Sequence, residues 1–204
     1  MKTSKFVVFP LLVLLALSYL PVGAGAASVG GAAPDFNLRD IDGKSHQLSS
    51  YQGKTVVLEW VNPECPFVVK HYRSGNMPSL QREATDDGIV WLSINSGRPG
   101  AQGDFAEHEV RQWMKQTGAK PTSYLRDQNG EVGRLYRAKT TPHMFVINPE
   151  GTLIYDGAID SIASSREGDI TRADNYVKLA IAALKSGTAP EKPQSRPYGC
   201  SVKY

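Results

Sequence analysis

The segment Thr55-Val56-Val57-Leu58-Glu59-Trp60-Val61 constrains the fold of this chain more than any other. It is almost continuously apolar and rich in β-branched residues. A half-exposed strand alternates polar with apolar residues, whereas an unbroken apolar run fits a central strand covered on both faces. Asn62-Pro63 ends the run, because proline cannot donate to the ladder and restricts the residue before it. Pro66 suits the first turn of a helix, where its missing N–H costs nothing. The reading is strand, tight turn, helix. Cys65 falls in the turn, and one carboxylate, Glu59, is set into the strand.

Other signals extend this unit in both directions. Residues 36–38 and 45–48 flank Asp42-Gly43, a hairpin signal. Residues 89–95 read as a second buried strand. Residues 144–147 and 152–155 read as strands joined by the turn Asn148-Pro149-Glu150-Gly151. Residues 104–117 are expected to form a helix, with Asp104 and Glu107 at capping-box spacing and Gly118 at the C-cap. Its Phe105, Val110, Trp113, Met114 and Thr117 share one face, and Trp113 and Met114 read as core packing. A last stripe, Tyr176, Leu179, Ala180, Ala183 and Leu184, ends at Gly187. The order β, β, β, α, β, α, β, β, α predicts an α/β fold whose last hairpin adds an antiparallel edge.

The chain has 204 residues, 41% hydrophobic and 21% charged, which suits one globular core with appendages. Lys2 and Lys5 precede an uncharged apolar run from Phe6 to Leu20, then Gly23-Ala24-Gly25-Ala26-Ala27. This is the secretory-signal pattern, with cleavage expected near Ala26. The apolar run of about 15 residues is short of the ~20 that span a bilayer, so no stable membrane insertion is expected after cleavage. The expected divisions are a signal peptide, 1–26, a folded domain, 27–187, and an irregular C-terminal tail, 188–204, whose Pro- and Lys-rich composition suggests mobility. Export would place the protein in a periplasm or outside the cell. The net charge of +3 falls to +1 once Lys2 and Lys5 leave, with no basic stripe, which argues against nucleic-acid binding. Two cysteines cannot build a disulfide scaffold or a Cys-rich zinc site, but they can make one redox pair.

Cys65 is the candidate nucleophile. A thiol before a helix meets unpaired amides and the positive end of the dipole, which favour thiolate, while neighbouring Glu64 opposes it. A buried Glu59 would have a raised pKa and act as a proton carrier; alternatively it reaches solvent or pairs with a lysine. Cys65, His71 and His143 are the residues that would have to converge for a soft metal such as copper. Scattered histidines are more often surface residues, and no metal or organic cofactor is expected.

The segment Trp60 to Val68 resembles the active-site turn of the thioredoxin superfamily, and Thr141-Pro142-His143-Met144-Phe145 resembles its cis-proline loop. Gly31-Ala32-Ala33-Pro34-Asp35-Phe36-Asn37-Leu38 resembles the opening of the redoxin group, which includes the alkyl hydroperoxide reductase/thiol-specific antioxidant family. Within it, Cys65-Pro66-Phe67-Val68 followed by Lys70-His71-Tyr72 is most similar to peroxiredoxin-like proteins with a single cysteine at this turn. The resemblance covers residues 33–186. It implies a thioredoxin-like fold, a central mixed sheet flanked by helices, with an N-terminal β-hairpin. It also implies thiol–disulfide exchange with a thiol or disulfide partner protein. Cys65 would be the catalytic thiol, with Glu59 at the spacing of the superfamily's buried acid. Pro66, Phe67, Thr141 and a cis Pro142 would line the partner site. Where a thioredoxin-type enzyme has its second cysteine, this chain has Val68, and the peroxidatic pattern of true peroxiredoxins is absent as well. An unconventional peroxidase and a non-catalytic binding protein or metal carrier on the same fold stay open as alternatives. The remaining thiol is Cys200. Thirteen extended residues beyond Gly187 reach ~45 Å, enough to cross a domain whose radius of gyration is ~16 Å. Cys200 is therefore able to meet Cys65 as a resolving thiol, to bond another chain, or to stay free.

Overall fold

The computed structural model describes residues 25–204, so the expected signal segment lies outside it except for its last two residues. Seven strands form the central sheet. In chain order they are β1 (Asn37–Asp40), β2 (Ser45–Gln47), β3 (Val56–Trp60), β4 (Val90–Asn95), β5 (Ser123–Arg126), β7 (His143–Ile147) and β8 (Leu153–Gly157). Their order in space is β2-β1-β5-β4-β3-β7-β8. The β3–β4 and β4–β5 pairs are parallel, and β1–β2, β1–β5, β3–β7 and β7–β8 are antiparallel. The sheet is therefore mixed, with the expected hairpin, β1–β2, at one edge.

Strand β3 lies at the heart of this sheet and is buried throughout. The period-2 rule splits its side chains between two cores. Val57 and Val61 face a core with helices α1 (Pro66–Arg73), α2 (Asn76–Asp86), α3 (Glu107–Thr117) and α5 (Tyr176–Lys185). Val56, Leu58 and Trp60 face a second core with Phe36, Leu48 and Tyr136, closed by the short helix α4 (Glu131–Leu135). Both faces of β3 are covered, which is why its sequence carries no alternation. No helix among the described residues is long and apolar enough to cross a membrane.

Several expectations are corrected. Helix α3 starts at Glu107 rather than Asp104, and its cap is Glu109, whose carboxylate accepts the Ala106 N–H at 2.7 Å. Asp104 instead accepts from Gly100 N and pairs with Arg126 at 2.6 Å, tying the preceding loop to β5. Helices α2 and α4 and strand β5 are additions to the expected order. The tail is irregular over most of its length, as expected, but it is not loose. Its Gln194 bridges to Asp156 of β8, and its Cys200–Ser201 forms strand β9, antiparallel to β6 (Thr140–Thr141). Val202 N donates to Lys139 O, and the Tyr204 hydroxyl donates to Ala138 O. A glycine makes this approach possible: a Cβ on Gly157 would lie 2.2 Å from Ser195 Oγ, so only glycine lets the tail lie against β8.

Candidate active site

Strand β3 delivers the chain to the top of the sheet, where the turn 61–65 reverses it into α1. Asn62 organises this turn. Its side-chain oxygen accepts from Glu64 N, and its main-chain oxygen accepts from Cys65 N. The Glu64 carboxylate accepts the Gly103 N–H at 2.6 Å and so holds the neighbouring loop. Cys65 is the N-cap of α1, its carbonyl accepting from Val69 N, with Pro66 at the first helical position. The Cys65 side chain is 0% exposed.

Two segments cover it. From β6 comes the Thr141 carbonyl, 3.0 Å from Cys65 Sγ, ahead of a buried Pro142 whose peptide bond is cis. From the tail comes Cys200, whose Sγ lies 2.6 Å from Cys65 Sγ and whose N–H points at the same sulfur at 3.4 Å. The two thiols are free, and they stand far closer than unbonded sulfurs pack, near the ~2.05 Å of a disulfide. Phe67 packs edge-to-face on Tyr198 with centroids 5.8 Å apart, whereas Pro66 is exposed. Val68, in the place of a second turn cysteine, is buried in the core.

The electrostatics of the pair are asymmetric. Burial pushes the Cys65 thiol up, but hydrogen bonds from Cys200 and from the backbone amides of Val68 and Cys200 outweigh it and leave its pKa below the ordinary value. Those amides are the unpaired donors of a helix N-terminus and of a neighbouring strand. Cys200 moves the other way, to about 12, through burial and then the adjacent Cys65. Cys65 is thus the thiol of the pair that gives up its proton more readily, and Cys200 the one that keeps it.

Glu59 is fully buried in the same core as Cys65. It accepts from Tyr72 Oη, Gln81 Nε2, Trp91 Nε1 and Ser93 Oγ at 2.8–3.0 Å, and its partners do not include Cys65. Burial raises its pKa and the four donors pull it back in part. The knot joins β3 to β4, α1 and α2.

Of the four histidines only His108 is exposed as expected. His46, His71 and His143 are all buried, each against a polar partner. His71 Nδ1 accepts from Asn76, and its Nε2 donates to the Tyr198 hydroxyl at 3.3 Å. The Tyr198 proton goes to Asp160 at 2.5 Å, which also faces Lys70 Nζ at 3.5 Å. Burial pulls the His71 pKa down to about 4, against the pull of Asp160. His143 bonds Asp156 on β8 and so does not join His71. Among the described residues no group of three or more His, Cys, Asp or Glu side chains is arranged to hold a metal ion. Sequence reasoning missed Tyr198 and Asp160. Spacing gave no signal for Asp160, and Tyr198 carried one only through its place two residues before Cys200.

Known proteins resemble this chain in sequence and fold. Residues 29–156 match the family described as AhpC/TSA. The thiol-disulfide oxidoreductase ResA of Geobacillus thermodenitrificans is 32% identical over 136 residues, covering 57% of this chain and 73% of the relative. The ResA of Bacillus subtilis is 29% identical over 145 residues, covering 67% and 72%. Among solved structures, an uncharacterized conserved protein of Geobacillus kaustophilus superposes with a TM-score of 0.74 at 26% identity, covering 87% of this chain and 92% of the other. A putative thiol:disulfide interchange protein DsbE of Chlorobium tepidum superposes at 0.52 and 23% identity, covering 64% and 85%. The fold is thioredoxin-like, with Cys65 in the turn between β3 and α1, and the chain belongs to the AhpC/TSA family.

Proposed function

We propose that this protein is an exported thiol–disulfide oxidoreductase in which Cys65 attacks and Cys200 resolves. The observation that carries the reading is the pair itself: two free thiols with sulfurs 2.6 Å apart and pKa values driven in opposite directions. The names of the ResA relatives and the expected leader at residues 1–26 support it.

The exchange is balanced as follows. The Cys65 thiolate attacks one sulfur of a partner disulfide. A Cys65–partner mixed disulfide forms, and the partner's other sulfur leaves as a thiolate and takes a proton. Cys200 then loses its proton and attacks Cys65 Sγ, forming Cys65–Cys200 and releasing the partner's second thiol. The partner gains two electrons and two protons; the cysteine pair gives both electrons and the Cys200 proton, and the second proton comes from the solvent that took it when Cys65 ionised. Run in reverse, the same steps oxidise a partner dithiol. Thr141, Pro142 and Phe67 frame the approach to Cys65, with Pro66 at its exposed rim. Glu59 serves as the buried acid of the core behind it. No step calls for a metal or organic cofactor.

Mass mapping tests the reading. Air-oxidised protein is expected to yield a Cys65–Cys200 cross-linked peptide in the monomer. Cys200→Ser is expected to accumulate mixed disulfides with exported proteins, and Cys65→Ser to form none. Both thiols alkylatable after oxidation, or only a Cys200–Cys200 dimer, would discard it.

A further inference from the structure

Cys65 has no exposed surface, and part of what hides it is the protein's own tail. The Cys200 backbone pairs antiparallel with Thr141, so the edge of β6 beside the sulfur is filled. A partner sulfur needs a line of approach to Cys65 Sγ, and none is open while β9 is seated. Resting on the Cys65–Cys200 reading above, we propose that Tyr198-Gly199-Cys200 is a built-in partner strand. It closes the site at rest, lifts for exchange, and marks the groove as a dock for an extended cysteine-bearing protein segment with glycine just before the cysteine.

Three observations specify the strand. The first is Gly199, with φ +138°, a conformation that side chains rarely adopt. A Cβ there would lie 2.0 Å from the Thr141 carbonyl oxygen, a main-chain atom that cannot swing aside. The groove therefore selects glycine at this position, in the tail and in anything that replaces it. The second is Tyr198, whose ring meets Phe67 and whose hydroxyl closes on Asp160 and His71. An aromatic residue two positions before the cysteine is the second mark of a fitting segment. The third is where the strand is free. Arg196 and Pro197 make no hydrogen bond among the described residues, while Ser195 is held by Asp156, Tyr155 and Ala158. This places a hinge between an anchored Ser195 and β9; lifting β9 also frees the tail beyond it, where Val202 N donates to Lys139 O, Arg98 N to Lys203 O and the Tyr204 hydroxyl to Ala138 O.

The closed strand is fastened by bonds suited to release. Its Tyr198 latch sits on buried ions, Lys70 and Asp160, whose pairing is weakened by lost hydration and which regain water when the strand lifts. Thr141 Oγ1 is buried without a hydrogen-bond partner, a cost relieved on opening. An incoming strand finds the same edge amide and carbonyl, and the same hydroxyl.

The test is run in Cys200→Ser protein, so that it does not depend on the disulfide. The rate of Cys65 alkylation by iodoacetamide is measured by mass. Gly199→Ala in this background is expected to raise it at least tenfold. Tyr198→Phe, which removes one hydrogen bond and keeps the ring, is expected to raise it about fivefold. Circular dichroism confirms that each variant stays folded. The opened Gly199→Ala protein is then offered the peptide Arg-Pro-Tyr-Gly-Cys-Ser-Val as a mixed disulfide with thionitrobenzoate. It is expected to react at least tenfold faster than the same peptide with alanine for glycine. Unchanged alkylation rates overturn the strap, and equal peptide rates overturn the groove's selectivity. Either result leaves the Cys65–Cys200 disulfide to be decided by its own mass map; a failed mass map with faster alkylation leaves the strap standing without the redox pair.

Discussion

Glu59 offers a quantitative test of how the core holds the active turn. In Glu59→Leu, four donors lose their acceptor. Gln81 Nε2 keeps a second partner, the Tyr72 oxygen at 2.9 Å. Trp91 Nε1, Ser93 Oγ and the Tyr72 proton are stranded in an interior without water. At about 1–3 kcal/mol for each stranded buried donor, with partial relaxation, the cost is about 3–6 kcal/mol, a large share of the ~5–15 kcal/mol that holds a domain together. Glu59→Gln differs. Its amide oxygen can keep the three donors at Oε2, while its NH2 meets a Tyr72 oxygen already accepting from Gln81, so about 1–2 kcal/mol is expected. The two variants also separate by pH. Burial raises the Glu59 pKa above its ordinary 4.5, so the folded state holds this proton more tightly than the unfolded chain. Its contribution is complete below pH 4.5 and is lost as pH rises through the raised value. Glu59→Gln abolishes that slope, and its deficit relative to wild type narrows as pH rises. Urea titrations followed by far-UV circular dichroism from pH 4 to 8 measure both effects. A Glu59→Leu cost below about 1 kcal/mol, or equal costs for Leu and Gln, would refute the four-donor knot.

Two further outcomes are expected. His71 is buried neutral with a pKa of about 4, so its contribution is present above pH 6.5 and lost as pH falls through 4. Near pH 4 this amounts to about 3 kcal/mol; the difference in urea midpoints between wild type and His71→Gln should show that slope, and parallel profiles would contradict it. Purified protein with a thiol reductant should consume hydrogen peroxide at a negligible rate, because Val68 occupies the peroxidatic place; brisk turnover abolished by Cys65→Ser would overturn that reading.

The sequence exposed the parts of the fold that rest on local pattern. β3 was visible because burial on both faces leaves an unbroken apolar run, and the turn because Pro63 and Pro66 bracket Cys65. Helix α2 carried a signal that was overlooked: Met77, Leu80, Gln81 and Ala84 recur at helical spacing, masked by Gly75 and Pro78. β5 gave none, since Ser123–Arg126 is too short to show alternation. The tail is irregular as its composition suggests, but it is seated rather than mobile for a physical reason. A Pro- and Lys-rich composition does exclude regular structure of its own, but β9 is made by the free edge of β6, which no local pattern records. His46, His71 and His143 were misjudged because their burial depends on Asp40, Asn76, Tyr198 and Asp156, partners brought together only by the fold.

In the proposed mechanism the second cysteine sits on a strap rather than one helical turn away, and this orders the two steps of exchange. The partner and Cys200 claim the same edge of β6, so they act in turn, and the state of Cys65 decides which is favoured. While Cys65 is a thiolate, its charge and its hydrogen bond to Cys200 help raise the Cys200 pKa to about 12, and Cys200 is a poor nucleophile. Once Cys65 is bonded to a partner it carries no charge, and that part of the shift disappears. A strap lifted into water also loses the contribution of burial, the largest of all. Cys200 then moves back toward its ordinary value of 9.0, at which a usable fraction is thiolate near neutral pH. The thiol that is silenced in the resting pair is thus activated by the very intermediate it has to resolve. The tail's return stroke needs no separate trigger.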